Sequence, residues 1–529
     1  MKIRISQPLL IWLAAIGLRF VYFFLLKPTP FFEPLSQTLD DGAFWKIAQT
    51  IAAGDWLCRI PEAAYRAPVY SYFVAVIIRL FGPSLTAVHL TQALIGSLTP
   101  VLVFLIARQI FGPGRIPLLA GILTALYMPF VIYENFLLGE SLSVCLNAAG
   151  LWLLIGGLRT SKHREARLLA SGVLFGISAL IRPNVILACA FMGAGLLRML
   201  SRQLHSWKRG LLAVTVFGAG ILLALAPYTA RNYVIHKDFI PLGAMGGVNL
   251  MIGNNTGSTG TFRLLPGGGT RFTNLFEKSH ATAERFSGKT LKPSEASAFW
   301  TRAALRMMAE QPWQETQLVF RKALLLFNAY EIPNIVDIRL MAEFLPIIRA
   351  NPIHYGLVAL LGFTGWGLLL RRREAALWVL HLFFLGSVFS ILIFFVIARY
   401  RLAIIMPLAI YAAWFLDAAI VFFGQHRRPL PPGVIILLLC TGFLVYRPAK
   451  VIDFSSGYNT LGAYYAQRKE FDKAEEFFNK SIQIRPNYPT PYNNLAHLML
   501  ETEQPSEAAR YRKKFESLTG FRHMPKDNQ

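Results

Sequence analysis

The chain has 529 residues, of which 54% are hydrophobic and 16% charged, with a mean hydropathy of +0.44. Soluble domains carry about 25% charged residues, so this composition excludes an ordinary soluble enzyme and points to a chain that crosses a membrane many times. The net charge of +24 does not signal nucleic acid, because most Lys and Arg sit in short loops between apolar runs, where membrane topology places them.

A basic start leads into the apolar run 9–26, with no small-residue cleavage site after it, so this run reads as a retained first span. A crossing helix needs about 20 apolar residues. On that basis the predicted spans are 9–26, 84–106, 116–133, 141–158, 168–181, 184–200, 211–228, 353–370, 375–397, 402–423 and 432–446. The run VYSYFVAVIIRLF, 69–81, is short and holds Arg79, which suits a helix lying at the interface.

Charge supports leaving 69–81 out. The inner loops then hold Lys2, Arg4, Arg108, Arg115, Arg159, Lys162, Arg164 and Arg167. They also hold Arg198, Arg202, Lys208, Arg209, Arg371–Arg373, Arg427 and Arg428, and the short outer loops keep Arg182, Arg399 and Arg401. The expectation is an all-α polytopic protein of eleven spans in an inner or plasma membrane. Its N-terminus is cytoplasmic and its C-terminus extracytoplasmic.

Two outer regions are large, 27–83 and 229–352. The first contains LDDGAFWKIAQTIAAGDW, 39–56, where Phe44, Ile47 and Ile51 recur at helical spacing. A helix over 41–53 follows, with Asp40 as N-cap and Gly54 as stop. A cap accounts for one carboxylate but not for Asp41 beside it. The second region contains the glycine-rich stretches GGVNLMIGNNTGSTGTF, 246–262, and LLPGGGT, 264–270, which read as loop punctuation. No strand–glycine–helix unit with a P-loop Lys occurs, so a nucleotide site is rejected. The four cysteines, Cys58, Cys145, Cys189 and Cys440, have no metal or disulfide spacing.

After residue 450 the composition becomes charged. Residues 455–488 resemble a tetratricopeptide repeat over its whole length, with Tyr458, Leu461, Gly462, Tyr465, Ala474, Phe478 and Pro486 in place. Residues 489–522 repeat the pattern weakly through Tyr492, Leu495, Ala496 and Ala508, with Arg512 replacing an aromatic. Two such units do not stand alone and lean on the membrane domain or on a protein partner.

Charges that break the topology pattern mark function, since charge near a bilayer is costly. Arg399 and Arg401 flank Tyr400 at one outer junction, and Arg182 and Arg231 lie at two others. Guanidinium forks at headgroup depth suit a lipid-linked phosphate, while a nearby Asp suits proton transfer from an attacking acceptor. Glu140 starts an outer helix end, where an acid also favours the helix dipole, and Glu331 sits where the outer region returns to the membrane.

In their order, LDDGAFWKIAQTIAAGDW, YRAPVYSYFVAVIIRLFG, LIARQIFGPGR, LLGESL, ALIRPN, APYTARNYVIHKDFIPLGAMGGVNLMIGNN, LLLFNAYEIPN and ARYRLAIIMP make residues 1–450 resemble the GT-C membrane glycosyltransferases. The nearest groups are the bacterial relatives of protein O-mannosyltransferases and the aminoarabinose transferases. The resemblance implies a polyprenyl-phosphate sugar donor and transfer outside the membrane, usually with inversion. It gives Asp40 the role of the acid in the first outer loop, and because the pair here is Asp40–Asp41, either carboxylate remains eligible as base. Arg66 and Pro68 match the family's basic-x-Pro element. Tyr65 stands where the aminoarabinose transferases carry an acid, which speaks against lipid A as acceptor, while the repeats favour a protein. Tyr65, Arg66, Glu140, Asn249, Glu331 and Tyr400 are the expected substrate pocket, with Arg182, Arg231, Arg399 and Arg401 on the donor phosphate. The expected cofactor is none: no acidic cluster makes a convincing ligand set for a divalent ion. A transporter or lipid flippase, and a scaffold displaying the repeats, are the competing classes.

Overall fold

The computed structural model describes residues 6–35, 40–160, 162–203, 205–263, 275–335, 337–425, 429–449 and 452–519. Lys2, Arg4, Arg427, Arg428 and the stretch LLPGGGT lie outside the described residues, so the readings placed on them stay expectations. Among the described residues every regular element is helical.

Among the described residues eight helices are long and apolar enough to cross a membrane: Gln7–Leu26, Leu85–Phe111, Glu140–Arg159, Val185–Gln203, Trp207–His236, Pro346–Leu369, Ala375–Ile393 and Ala398–Gln425. The other three expected spans are helical but fall short of that measure. Residues 116–133 divide into Arg115–Leu126 and Met128–Tyr133 around Tyr127, whose extended backbone breaks the helix before Pro129. Pro432–Tyr446 is 15 residues long, and Arg164–Ile181 opens with Arg164, Glu165 and Arg167. The run 69–81 forms one apolar helix of 13 residues, too short to span.

Where lipid replaces water, helices are held by close packing and interhelical hydrogen bonds rather than by hydrophobic burial between them. Arg164–Ile181 illustrates both. Gly172 and Gly220 sit where a Cβ would overlap the facing backbone, so the two helices touch main chain to main chain. On its other side the Ser171 hydroxyl donates to the Gly150 carbonyl at 2.8 Å, and the Ser143 and Ser178 hydroxyls pair at 2.7 Å.

The first large loop folds as Asp40–Ala52 against Val69–Phe81, through Ile47, Ala48 and Ile51 on Val74, Ala75 and Ile77. The Ser71 hydroxyl ties the pair by donating to the Phe44 carbonyl at 3.1 Å. The described part of the helix begins at Asp40, whose side chain pairs with two arginines. Gly54, at φ +122, follows the helix's end.

The described residues of 229–352 are mostly helical as well. GGVNLMIG, expected as loop, forms Gly246–Gly253. Its glycines serve approach rather than turning: a Cβ on Gly247 would overlap the Ser297 carbonyl, and one on Gly253 the Phe394 carbonyl. The next residue, Asn254, donates to the Ile393 carbonyl at 2.8 Å and accepts from the buried Lys322 ammonium at 2.5 Å. This region is thereby fastened to the end of Ala375–Ile393.

The repeat region consists of Ser455–Gln467, Phe471–Ile484, Pro489–Glu501 and Pro505–Thr519. Gly462 leaves room for the Phe478 ring, as repeat packing requires. It leans on Ile338–Phe344: the Tyr458 hydroxyl donates to Glu343 at 2.6 Å, and Phe477 stacks on Phe344 at 6.3 Å.

Candidate active site

A cavity of about 380 Å³ opens where Asp40–Ala52, Arg66, the Arg182 junction, Gly246–Gly253 and the Arg399 junction meet. Its lining includes apolar Leu180, Ile181, Ile186, Leu187, Phe394 and Phe395 from helix ends together with the charged Asp40, Arg66, Arg182 and Arg399. A smaller recess of about 50 Å³, lined by Glu140, Ser143, Asn147, Ser387 and Ser390, adjoins it and shares Arg182, Asn184, Arg399 and Tyr400.

Charges converge here from distant parts of the chain. Asp40 pairs with Arg66 at 2.7 Å and with Arg399 at 2.8 Å. Glu140 pairs with Arg182, and its carboxylate lies 3.6 Å from Arg399 Nε. The Tyr400 ring sits about equally far from both guanidiniums, 6.0 Å from that of Arg182 and 5.8 Å from that of Arg399. Three arginines face two carboxylates, so cationic capacity is left over. Arg182 Nε and Arg399 Nη1 are buried N–H donors, and the two Glu140 carboxylate oxygens buried acceptors, without a hydrogen bond among the described residues. Unpaired buried donors are costly, and an anion with several acceptor oxygens would satisfy both.

The two aspartates differ in setting. Burial would raise the Asp40 carboxyl, but Arg66 and Arg399 outweigh it and hold that group well below the usual carboxylate range. Asp41 does not line the cavity, is 3% exposed, and accepts from the Gly42 amide at 2.9 Å. Burial, with the Asp40 charge adding to it, pushes Asp41 up to about 7. Burial, then repulsion from Arg399, brings Arg182 down to about 9, so the crowding of cations is itself unfavourable without an anion.

Of the other expected residues, Tyr65, Arg66, Asn249 and Tyr400 line the cavity, and Glu140 lines the recess. Tyr65 also hydrogen-bonds His280 Nδ1 at 2.6 Å. The structure does not bring Arg401, Glu331 or Arg231 to the cavity. Arg401 is fully buried and bonds Glu331 at 2.7 Å, the Asn328 carbonyl at 2.7 Å and the Tyr330 carbonyl at 2.6 Å, under the Tyr355 ring. Its two-residue spacing from Arg399 turns it to another side of the helix, so it joins 328–331 to the bundle instead of a phosphate. Arg231 donates to the Leu57 carbonyl at 2.8 Å and to the Cys58 carbonyl, pinning the first loop. Phe44 and Asn184 line the cavity unforeseen. Both sit in stretches singled out for their charges; the helical spacing of Phe44 signals a packing face, and neither residue carries a charge that would mark a site.

Residues 65–229 match the family model of dolichyl-phosphate-mannose-protein mannosyltransferases, and residues 455–488 match the tetratricopeptide repeat. No curated protein matches the sequence. Solved structures to which the chain has a distant likeness include an archaeal oligosaccharyltransferase, AglB from Archaeoglobus fulgidus, in complex with an inhibitory peptide and a dolichol-phosphate. It is 14% identical with a TM-score of 0.45, over 91% of this chain and 59% of that one. ArnT from Cupriavidus metallidurans, bound to undecaprenyl phosphate, is 15% identical with a TM-score of 0.45, over 94% of this chain and 75% of that one. The chain thus spans about three fifths of the archaeal enzyme's length. Residues 65–229 are thus similar to that mannosyltransferase family and residues 455–488 to a tetratricopeptide repeat, in a chain whose described residues include eight helices long and apolar enough to cross a membrane.

Proposed function

We propose that the chain transfers a sugar from a polyprenyl-phosphate donor to an acceptor outside the membrane, with the reaction in the cavity around Asp40. The family match at 65–229, to enzymes named for a lipid-phosphate mannose donor and a protein acceptor, supports the class. The observation that carries the reading is the pair of unpartnered guanidinium donors, Arg182 Nε and Arg399 Nη1, on arginines that share a cavity lining with apolar Leu180, Ile181, Ile186 and Leu187. A phosphate attached to an isoprenoid chain meets both demands at once.

In this reading the donor phosphate draws Arg399 and Arg182 onto its oxygens. Asp40 then loses part of its clamp and becomes basic enough to act. The acceptor hydroxyl attacks the anomeric carbon, its proton passes to Asp40, and the bond from that carbon to the phosphate oxygen breaks. The electron pair leaves with the polyprenyl phosphate, whose growing charge the arginines stabilise. Asp41 does not line the cavity, so the proton transfer is assigned to Asp40. The acceptor is a protein or a glycolipid, and the repeats, placed beside 338–344, are suited to holding a protein.

The test uses purified protein in lipid nanodiscs with a polyprenyl-phosphate sugar. Release of polyprenyl phosphate, dependent on protein and acceptor, is the expected result. Movement of the lipid between leaflets of vesicles with no release would make the chain a flippase instead.

A further inference from the structure

Arg19 lies inside the span Gln7–Leu26, seven residues or about 10 Å below the helix end at Leu26. A guanidinium at that depth is costly and calls for a functional account. It is fully buried and grips Glu134, Nε to Oε2 at 2.5 Å and Nη2 to Oε1 at 2.7 Å, with a further bond to the Ala15 carbonyl at 3.0 Å. Gly96 makes space for the pair, because a Cβ there would overlap the Glu134 carboxylate.

The contacts continue toward the cavity. The Gln92 amide donates to the Glu134 carbonyl at 2.6 Å and to the Phe136 carbonyl at 3.0 Å, and accepts from the Tyr70 hydroxyl. Tyr70 meets the Phe44 ring edge-on at 5.3 Å, and Phe44 lines the cavity. Tyr70 also faces Gly139, next to Glu140. Both ends of the chain of contacts therefore reach the site: through Phe44 to the helix carrying Asp40, and through 134–139 to the carboxylate that holds Arg182.

We propose that Arg19, Glu134, Gln92 and Tyr70 are positioning residues, a polar brace within the membrane that presets the Asp40 helix and the Glu140 turn for the lipid phosphate. A buried ion pair is a weak source of stability, since apolar replacements of similar volume are often neutral or better. Its value here is geometric, because electrostatic stabilisation requires groups fixed before the reaction begins. The proposal rests on the transfer reading for its kinetic consequence but not for its structural one.

The test compares wild type with the double variant Arg19→Met/Glu134→Leu and with Gly96→Ala, in nanodiscs, by thermal melting, kinetics and hydrogen exchange. The double variant is expected to melt close to wild type yet to lose about tenfold or more in kcat, with the donor KM little changed. Gly96→Ala, which displaces the carboxylate without removing a charge, is expected to give the same split. Amides in 40–46 and 134–140 are expected to exchange faster in the double variant while the other spans stay protected. Wild-type kcat, or a loss matched by the unfolded fraction, would overturn the brace. If wild type itself shows no release, the transfer reading fails, and exchange decides the brace alone: unchanged rates in both segments would end it.

Discussion

Two guanidiniums hold the Asp40 carboxylate, at 2.7 and 2.8 Å, whereas Asp41 has the Gly42 amide and a wall of buried side chains. Their contributions to stability therefore run in opposite directions with pH. Asp40, held below its usual range, adds stability that is present at neutral pH and lost only as strong acid protonates it. Asp41, raised to about 7, is settled when protonated, and its contribution disappears as pH climbs from the unfolded carboxylate range through 7. Asp41→Asn, which keeps an oxygen for the Gly42 amide, is expected to raise the melting temperature at pH 8 and to leave it nearly unchanged at pH 4. An equal effect at both would show that Asp41 is ionised throughout. The arginines divide similarly. Arg401→Met leaves Glu331 buried without its cation, so a cost of about 3–5 kcal/mol in thermal or denaturant unfolding is expected. Arg399→Lys should fold normally and lose affinity for polyprenyl phosphate, because a single ammonium cannot reproduce the fork.

At the scale of elements, the site depends on helices that touch backbone to backbone. Gly246–Gly253 carries Asn249 into the cavity and is seated by Gly247 against Ser297 and by Gly253 against Phe394. Gly247→Ala must push Pro293–Glu310 outward, and a loss of about 1–3 kcal/mol is expected. The same change at Gly246, which has open space around it, is expected to cost little by comparison. Periodicity made the helices of the first loop legible, since Phe44, Ile47 and Ile51 gave the face that packs on Val69–Phe81. It failed at GGVNLMIG, where glycine reads locally as a turn but is required by a neighbour 50 residues away. Such a demand lies in tertiary contact and leaves no local mark.

Across the whole molecule, composition and charge gave the membrane class and the all-helical bundle. The count of eleven spans was not legible to the same degree, because charge on Arg164–Ile181 and shortness of Pro432–Tyr446 set these helices apart from the eight. Junction charges led to Arg182, Arg399 and Glu140, which the structure gathers. The same signal also picked out Arg401 and Arg231, since sequence gives depth in the membrane but not the side of a helix. Arg19 lies within the apolar run 9–26, and its partner Glu134 is 115 residues away, so spacing along the chain gives no sign of the pair. The repeats, seated on Glu343 and Phe344, lie apart from the residues that line the cavity. A chain ending at residue 449 is therefore expected to melt earlier yet keep donor turnover with a small soluble acceptor; complete loss of turnover in a folded truncation would assign the repeats to the reaction itself.

The most direct measurement is release of polyprenyl phosphate from a lipid-linked sugar by wild type and by Asp40→Asn, both verified as folded by thermal melting. A fall of about 10³-fold in the variant, with donor binding retained, is expected of a residue that takes the acceptor's proton. Release at the wild-type rate would contradict a transfer site at the Asp40, Arg66 and Arg399 cluster.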